Sequence, residues 1–580
     1  MAKMTSFYVG VSGLQASQNA INTTAHNLSN VNTTGYVRQQ AILGDRDYTL
    51  VGRKATSYMQ VGLGVDSIAT SRIRDILLDS AYRSENSRGG FYEAQYEAVT
   101  EIETIVGETE GEQYQNIIEK FWSAINEMSK TPDSLVARSE LVMYAEEFLN
   151  RSQNLYDGLI AYQDNLDTKI TELVNEVNSY GAKLNELNKL ISSVEAVGVE
   201  AANDLRDERD VVLDELSKLV KMSYTEVANG IVTVKIEGVD FVSETTVFPM
   251  ETAELDGDRG STYLSCVWPH LEGREVFFLE EEISTANNND KGELKGYLLA
   301  RGDYVANYTD IPQTKDFDLT TEEGRNQYYD AVDIYHREVS PSSVMSMQAM
   351  LDTLVHGIIT SVNDVLAPKA EGTVSFVGAD GTVYTDVEVL DTENCSVGAD
   401  GKLPPAELFT RLFTDRYKEV LANDGTTYYV YNDINTFGTE SLYTLKNIEI
   451  NQEVISDYSK LPFTTKEGEI DLEMGLKMVE AWGEPFASLN PDNLTKKTFK
   501  QYYNEAIYNI GNRGTLNQAI SENQVVATSQ INAKRNEITG VSSDEELTNL
   551  IKFQNAYNAS SRYINVISEM LEHVIMKLGS

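Results

Sequence analysis

An apolar stripe keeps a heptad beat from Leu141 to Val194: Leu141, Ala145, Phe148, Ser152, Leu155, Leu159, Tyr162, Leu166, Ile170, Leu173, Val177, Tyr180, Leu184, Leu187, Ile191 and Val194. Spacings of four and three alternate, with one stutter of two successive fours around Leu166. A single helix carrying this stripe spans roughly 80 Å at about 1.5 Å per residue. A helix of that length needs partner helices along its whole side, which favours a rod-like bundle over a compact enzyme core. Gly158 and Gly181 are the positions at which it could bend.

The two ends of the chain carry stripes of their own. Residues 1–44 contain no Asp or Glu, although the chain holds 90 acids and a formal charge of −43. Phe7, Val11, Leu14, Ile21 and Leu28 fall on one helical face with Met4 and Ala25, and Gln18 is the one polar position on it. At the far end Leu547, Leu550, Tyr557, Ile564, Ile567, Leu571, Val574 and Leu578 repeat the pattern. Two adhesive helical ends on an acidic body predict a subunit that assembles through its termini. Ser543 and Glu546, in SSDEEL, predict a capping box opening the last helix.

Composition narrows the function. The length suits several domains, and 41% hydrophobic residues with 11 Pro describe a folded chain. The acidic balance opposes nucleic-acid binding, which needs clustered Lys and Arg, and opposes anionic membranes. No stretch approaches the roughly 18 apolar residues of a membrane span. The N-terminus lacks the basic region and unbroken apolar core of a cleaved signal, so export would use another route. Cys266 and Cys395 lie far apart without a CxxC, which supports neither a disulfide framework nor a zinc site and leaves a single pairing open.

Along the chain, 4–30 reads as helix, stopped by Asn30, Asn32, Thr33, Thr34 and Gly35. Short β-like runs fill 36–75, and helix dominates 76–220, ending in a segment at 201–220. From about 222 the period becomes two, as in IVTVKIEGVDFV, so strands are expected, with a short helix near 293–308. Helix returns at 344–366, β-type sequence follows to about 450, and helices are expected at 497–510, 515–538 and 543–578. The fold class is therefore multidomain α+β: a long-helix bundle built from the N- and C-terminal thirds, with two β-rich inserted domains and coiled-coil termini. The division is 1–50 with 540–580 as the terminal assembly unit, and 51–222 with 341–367 and 451–539 as the helical core. Residues 223–340 and 368–450 form the two insertions.

No catalytic constellation stands out. The five His are scattered and none sits in HExxH. GVSG at 10–13 is one position short of GxSxG, no phosphate-binding glycine loop is present, and the Asp- and Gly-containing turns miss the calcium-loop pattern. With so many acids, a pair of carboxylates is better read as solvated surface than as a site. No catalytic residue, cofactor or metal is expected.

The segment AHNLSNVNTTGYVRQ, 25–39, resembles the N-terminal motif of the bacterial flagellar axial proteins, the rod, hook and hook-associated group. Asn27, Leu28, Asn30, Val31, Asn32, Thr33, Gly35, Tyr36 and Arg38 match it, while Thr34 stands where the group often has Pro. Segments 61–85, 121–146, 203–220 and 540–575 are similar to the hook-associated members that form the first junction between hook and filament. The resemblance implies a structural subunit, exported by the flagellar type III apparatus with a chaperone, whose terminal helices pack as a coiled coil in a homo-oligomer. Its implied partners are the hook protein and a second junction protein, and its place is the extracellular flagellum. The competing reading is a secreted adhesin or enzyme whose β-rich domains ride on a flagellar-type helical stalk.

Overall fold

The computed structural model describes residues 2–54, 57–107, 113–196, 200–227, 229–254, 263–432 and 441–578. The chain opens with helix α1 (Ala2–Ser29) and strands β1 (Gln39–Asp45), β2 (Tyr48–Lys54), β3 (Ser57–Gly62) and β4 (Val65–Arg72). Strand β1 pairs antiparallel with β4 from Gln39↔Arg72 to Asp45↔Val65, and β2 with β3 in a hairpin between them. Helices α2 (Ile76–Val106), α3 (Tyr114–Lys130), α4 (Leu135–Glu195) and α5 (Asn203–Leu219) follow.

Two small antiparallel sheets come next: β5 (Met222–Glu226), β6 (Val232–Ile236) and β7 (Val239–Val242), then β8 (Glu251–Glu254), β9 (Leu264–Trp268) and β10 (Arg274–Glu275). Helices α6 (Glu293–Arg301), α7 (Glu322–Ile334) and α8 (Ser343–Leu366) lead to β11 (Val374–Val377), β12 (Val383–Val387), β13 (Phe409–Arg411), β14 (Tyr417–Leu421), β15 (Thr427–Tyr431) and β16 (Ile448–Ile450). The chain closes with α9 (Gln452–Ser456), α10 (Leu472–Gly483), α11 (Phe499–Thr539) and α12 (Ser543–Leu578).

Helix α4 is one continuous 61-residue helix, opened by Ser134, whose side chain accepts from the Ala137 N–H. Every stripe residue from Leu141 to Ile191 is buried or half-buried, whereas Val194 is exposed. The helix runs unbroken through Gly158 and Gly181. At Gly181 the missing side chain admits the Phe241 ring, since a Cβ there would lie 2.4 Å from Phe241 Cζ. Beside the stutter, Gln163 is fully buried. Its amide donates to the Arg301 and Tyr304 carbonyls at 2.8 and 3.1 Å and its oxygen accepts from Gln348 at 2.7 Å.

Helix α8 is the hub. It is apolar and buried nearly all round, which suits a helix enclosed on every side, and it packs against α2, α4, α6, α10 and α11. One apolar core runs continuously from α2 to α11 and takes in the β6, β7 and β9 strands through Val234, Phe241 and Trp268. Within 223–340, strand stops at Glu275, and α6 and α7 follow. Between 368 and 450, the strands β11, β12, β14 and β15 carry two small satellite cores around Leu390 and Val420, while Phe409 of β13 joins Leu445, Ile448 and Ile450 in the main core.

The helices expected at 497–510 and 515–538 are a single element, α11. Gly511 and Gly514, in the gap between the two expected helices, lie inside the helix, and a Cβ on Gly514 would lie 2.9 Å from Val99 Cγ1 of α2. Close helix packing outweighs the propensity cost of glycine here. The strand region also hides a repeat. FVGADGTVY (376–384) and VLANDGTTY (420–428) form matching hairpin tips, in which Asp380 and Asp424 accept from Thr382 and Thr426 N–H at 2.9 Å. The tips bond reciprocally, Ala379 N–H to the Leu421 carbonyl at 2.8 Å and Asn423 N–H to the Val377 carbonyl at 2.9 Å. Cys266 and Cys395 are buried and free.

Side-chain amides join helices to strands where no backbone ladder can. Asn188 of α4 donates to the Val232 carbonyl at 2.8 Å and accepts from the Val232 N–H at 3.0 Å. Asn178 does the same for Met250, at 2.8 and 2.9 Å. Replacing Asn188 by Ala strands both backbone groups of Val232 in the core, so stability should fall by about 2 kcal/mol. Urea unfolding with an unchanged m-value measures this; a loss under about 0.5 kcal/mol would refute the clip.

A candidate assembly interface at the chain termini

The acid-poor first helix and the last helix pair with each other: α12 packs on α1, and α1 also rests on β1 and β4. On α12 the expected stripe faces inward, with Leu550, Tyr557, Ile564, Ile567, Leu571 and Val574 all half-buried. Leu547 departs from it and is exposed. The side chains of Met4 and Leu578 lie outside the described residues.

On α1 the outcome differs. The buried positions are small or polar: Gly10, Ser12, Ala16, Ser17, Ala20, Thr24 and Asn27. Phe7 is exposed, and Val11, Leu14, Ile21 and Leu28 are only half-buried. The reason is close approach. A Cβ on Gly10 would sit 2.7 Å from Ile564 Cγ1, and one on Gly13 would sit 2.9 Å from Ser560 Oγ. The large side chains of α12 fill the space left by small residues on α1, so the bulky row of α1 lies beside the contact. The GVSG run, too short for a nucleophile motif, is this contact patch. Ser12 works on the other side, accepting from the Val65 N–H at 3.2 Å and donating to the Val9 carbonyl at 2.9 Å.

The Asn-rich turn fixes the base of this hairpin. Asn27 is buried, and its amide donates to the Gln39 carbonyl at 2.8 Å and to Glu546 at 3.0 Å. Its oxygen accepts from the Tyr36 hydroxyl at 2.8 Å and the Gln39 N–H at 3.0 Å. Burial together with nearby Asp204, Asp207 and Glu546 pushes the Tyr36 hydroxyl up, so it stays a donor. Asn30 donates to the His26 carbonyl at 3.0 Å and accepts from the Thr33 hydroxyl, whereas Asn32 is exposed. Gly35 has φ +79°, and a Cβ there would meet Val211 of α5 at 2.4 Å, so both backbone and space require glycine.

Arg38 reaches Glu546 at 2.9 Å and Glu545 at 3.1 Å. Ser542, rather than Ser543, caps α12: its hydroxyl accepts from Glu545 N–H at 3.4 Å, and its carbonyl from Glu546 N–H at 2.9 Å. Glu546 does not close a capping box, because its carboxylate is already held by Asn27 and Arg38.

Helix α5 ties this base to the bundle through carboxylates. Asp207 accepts from Val37 N–H at 3.0 Å and from Arg72 at 2.7 Å. Asp210 meets Arg72 at 2.9 Å, Arg74 at 2.7 Å and Arg83 at 3.3 Å. Asp214 meets Arg83 at 2.6 Å and Arg535 of α11 at 2.7 Å, and Arg535 also lies 2.9 Å from Asp79. Burial alone would push the Asp210 carboxyl up, but Arg74, Arg72 and Arg83 together hold it below the usual range. At Asp207 burial wins over Arg72 and the carboxyl is raised. A groove of about 1320 Å³ opens beside these pairs, between β4, α2 and β5. Most of its charges are paired, as Arg206 is to Glu195 and Glu226. Among the described residues no group of His, Cys, Asp and Glu is placed to hold a metal ion, and no helix is long and apolar enough to cross a membrane. Sequence reasoning passed over Gly10, Gly13 and the arginine–aspartate set. The available signal was the dense charge alternation of DLRDERD on an otherwise apolar-patterned helix.

Replacing Asn27 by Ala strands the Gln39 backbone groups and removes one donor from buried Glu546. The hairpin base should lose about 1–3 kcal/mol. Hydrogen exchange should then speed up in α1 and α12 while α4 stays protected; equal protection in mutant and parent would refute the role given to Asn27.

Three family descriptions match the chain: the helical domain of the flagellar hook-associated protein FlgK over 99–372, the flagella basal body rod protein over 7–36, and the C-terminal region of flagellar basal body rod FlgEFG proteins over 533–576. Flagellar hook-associated protein 1 of Bacillus subtilis is 25% identical, with 99% of both chains covered. The Escherichia coli protein of that name is 23% identical, covering 97% of this chain and 98% of its own. The flagellar hook junction protein FlgK from Burkholderia pseudomallei aligns in structure with a TM-score of 0.45 and 12% identity, over 79% of this chain and all of its own. The two terminal matches fall on the paired helices and the central one on the bundle, and together with the full-length relatives they mark this chain as a structural protein of the bacterial flagellum, similar from end to end to flagellar hook-associated protein 1.

Proposed function

We propose that this chain is a homo-oligomeric subunit of the hook–filament junction, with no catalytic activity, assembled outside the cell after export by the flagellar type III apparatus with a chaperone. The hook protein lies on one side of the proposed assembly and a second junction protein on the other. The division set out from sequence is kept as part of this proposal, with 1–50 and 540–580 as the assembly unit. The observation that carries the reading is the terminal hairpin. It holds its own two helices together through small residues, yet leaves Phe7, Tyr8, Ile551, Val566, Met570 and Ile575 exposed. Apolar rows of this kind on a paired helix call for further helices, and identical neighbours supply them.

The exposed rows suggest a sharper mutation than the inward stripe does. Ile564 and Leu571 face α1, so charges there would break the hairpin itself. Ile551→Asp with Met570→Asp should leave the monomer folded and block incorporation into flagella, because unpaired charges in an assembled seam cost several kcal/mol. A strain lacking the protein should keep hooks and lose attached filaments in electron micrographs. Wild-type filaments on the double mutant would overturn the assignment of this face.

Charge supplies an independent test. The body carries nearly all of the −43 net charge, while the termini are close to neutral. Salt shortens the screening length from about 30 Å in dilute buffer to about 8 Å at physiological strength. Self-association seen by light scattering should therefore strengthen as NaCl rises, since apolar packing survives and body repulsion fades. A steady decline with salt would mean that charge pairs hold the subunits together.

A further inference from the structure

Two of the three tryptophans form a platform away from the termini. Trp122 of α3 stacks on Trp482 of α10, with ring centroids 5.6 Å apart and planes 24° apart. Phe121 and Phe499 meet Trp482 at steep angles, with ring centroids 5.6 and 5.1 Å away. Both indoles are half-buried and line a pocket of about 280 Å³ between α3, α10 and the start of α11. Its polar rim is Gln115, Glu119 and Ser123 of α3 and Lys500 of α11. Lys500 pairs with Glu119 at 2.7 Å, and the Gln115 amide donates to the same carboxylate at 3.3 Å.

We infer that this pocket binds one neutral sugar ring. The aromatic faces attract the weakly positive C–H groups of such a ring. The rim offers a carboxylate, an amide, an ammonium and, since the Ser123 hydroxyl donates to the Glu119 carbonyl at 2.8 Å, a hydroxyl oxygen that can accept from the ring's hydroxyls. An anion meets Glu119 and the strongly acidic body. A cation is drawn to the indoles but meets Lys500, already seated on the carboxylate. A purely apolar side chain would cover the rim without replacing its hydrogen bonds to water. The guest that suits both the platform and the rim is uncharged, flat on one side and hydroxylated at its edge. The pocket's size admits one ring, so affinity should be weak, with Kd of roughly a millimolar.

Saturation-transfer NMR on the full chain with methyl β-D-glucopyranoside and methyl N-acetyl-β-D-glucosaminide tests this. Transfer is expected to the ring protons of at least one probe, abolished in Trp122→Ala and weakened several-fold in Glu119→Gln, whose exposed side chain is not needed for folding. No transfer from either probe at about 50 mM would overturn the inference. So would unchanged transfer in folded Trp122→Ala, or binding of a proline-rich peptide in place of the sugars. Should Trp122→Ala fail to fold by circular dichroism, Glu119→Gln decides: unchanged affinity overturns the assignment. Filament attachment should be normal in Glu119→Gln, so the sugar site and the junction reading stand or fall separately.

Discussion

Asp207, Asp210 and Asp214 of α5 are the charges on which the rest of the molecule is hung. They hold Arg72 at the end of β4, Arg74 just before α2, Arg83 within α2, and Arg535 near the end of α11. Removing one partner of a buried pair leaves the other charge unpaired in low dielectric, typically at about 3–5 kcal/mol. The set thus fixes the direction in which the terminal hairpin leaves the body. Asn27, Arg38 and Glu546 extend the same network into the hairpin, so α1 and α12 share one base.

That base lets a nearly uncharged hairpin stand on a strongly acidic body. Gly10 and Gly13 bring the two helices together over small residues, and the pairing leaves bulky apolar rows unspent on both helices. A tighter, self-sufficient seam would have hidden those rows. The proposed assembly rests on this division between an anchored base and an uncovered flank.

Inside the body, polar side chains do what a continuous sheet would do elsewhere. Asn178, Asn188 and Asn363 each clip a helix to the backbone of a strand or extended segment; Asn363 donates to the Phe409 carbonyl at 2.7 Å and accepts from Phe409 N–H at 3.2 Å. The small sheets can then join the helical core without exposing unpaired backbone. The stripe of α4 lies in one core with neighbouring helices and, through Phe241 and Trp268, with the strands.

Periodicity made the long helix, the terminal stripes and the change to strands legible, because burial imposes a period of 3.6 on a helix and two on a strand whatever the surroundings. Part of the Asn-rich turn was legible for a similar reason: Asn27, Tyr36 and Gln39 bond to one another within a short stretch of chain, and Gly35 needs its positive φ locally, whereas the partners of Arg38 lie at the far end of the chain. Three things were settled only by tertiary structure. The continuity of α11 through Gly511 and Gly514 depends on Val99 of a distant helix. The face that α1 turns to α12 depends on Ile564 and Ser560, because a heptad stripe marks where apolar bulk lies and not how near a partner can come. The role of the α5 carboxylates depends on arginines from remote segments, since a charge in sequence carries no sign of its partner and only folding brings the two within 3 Å.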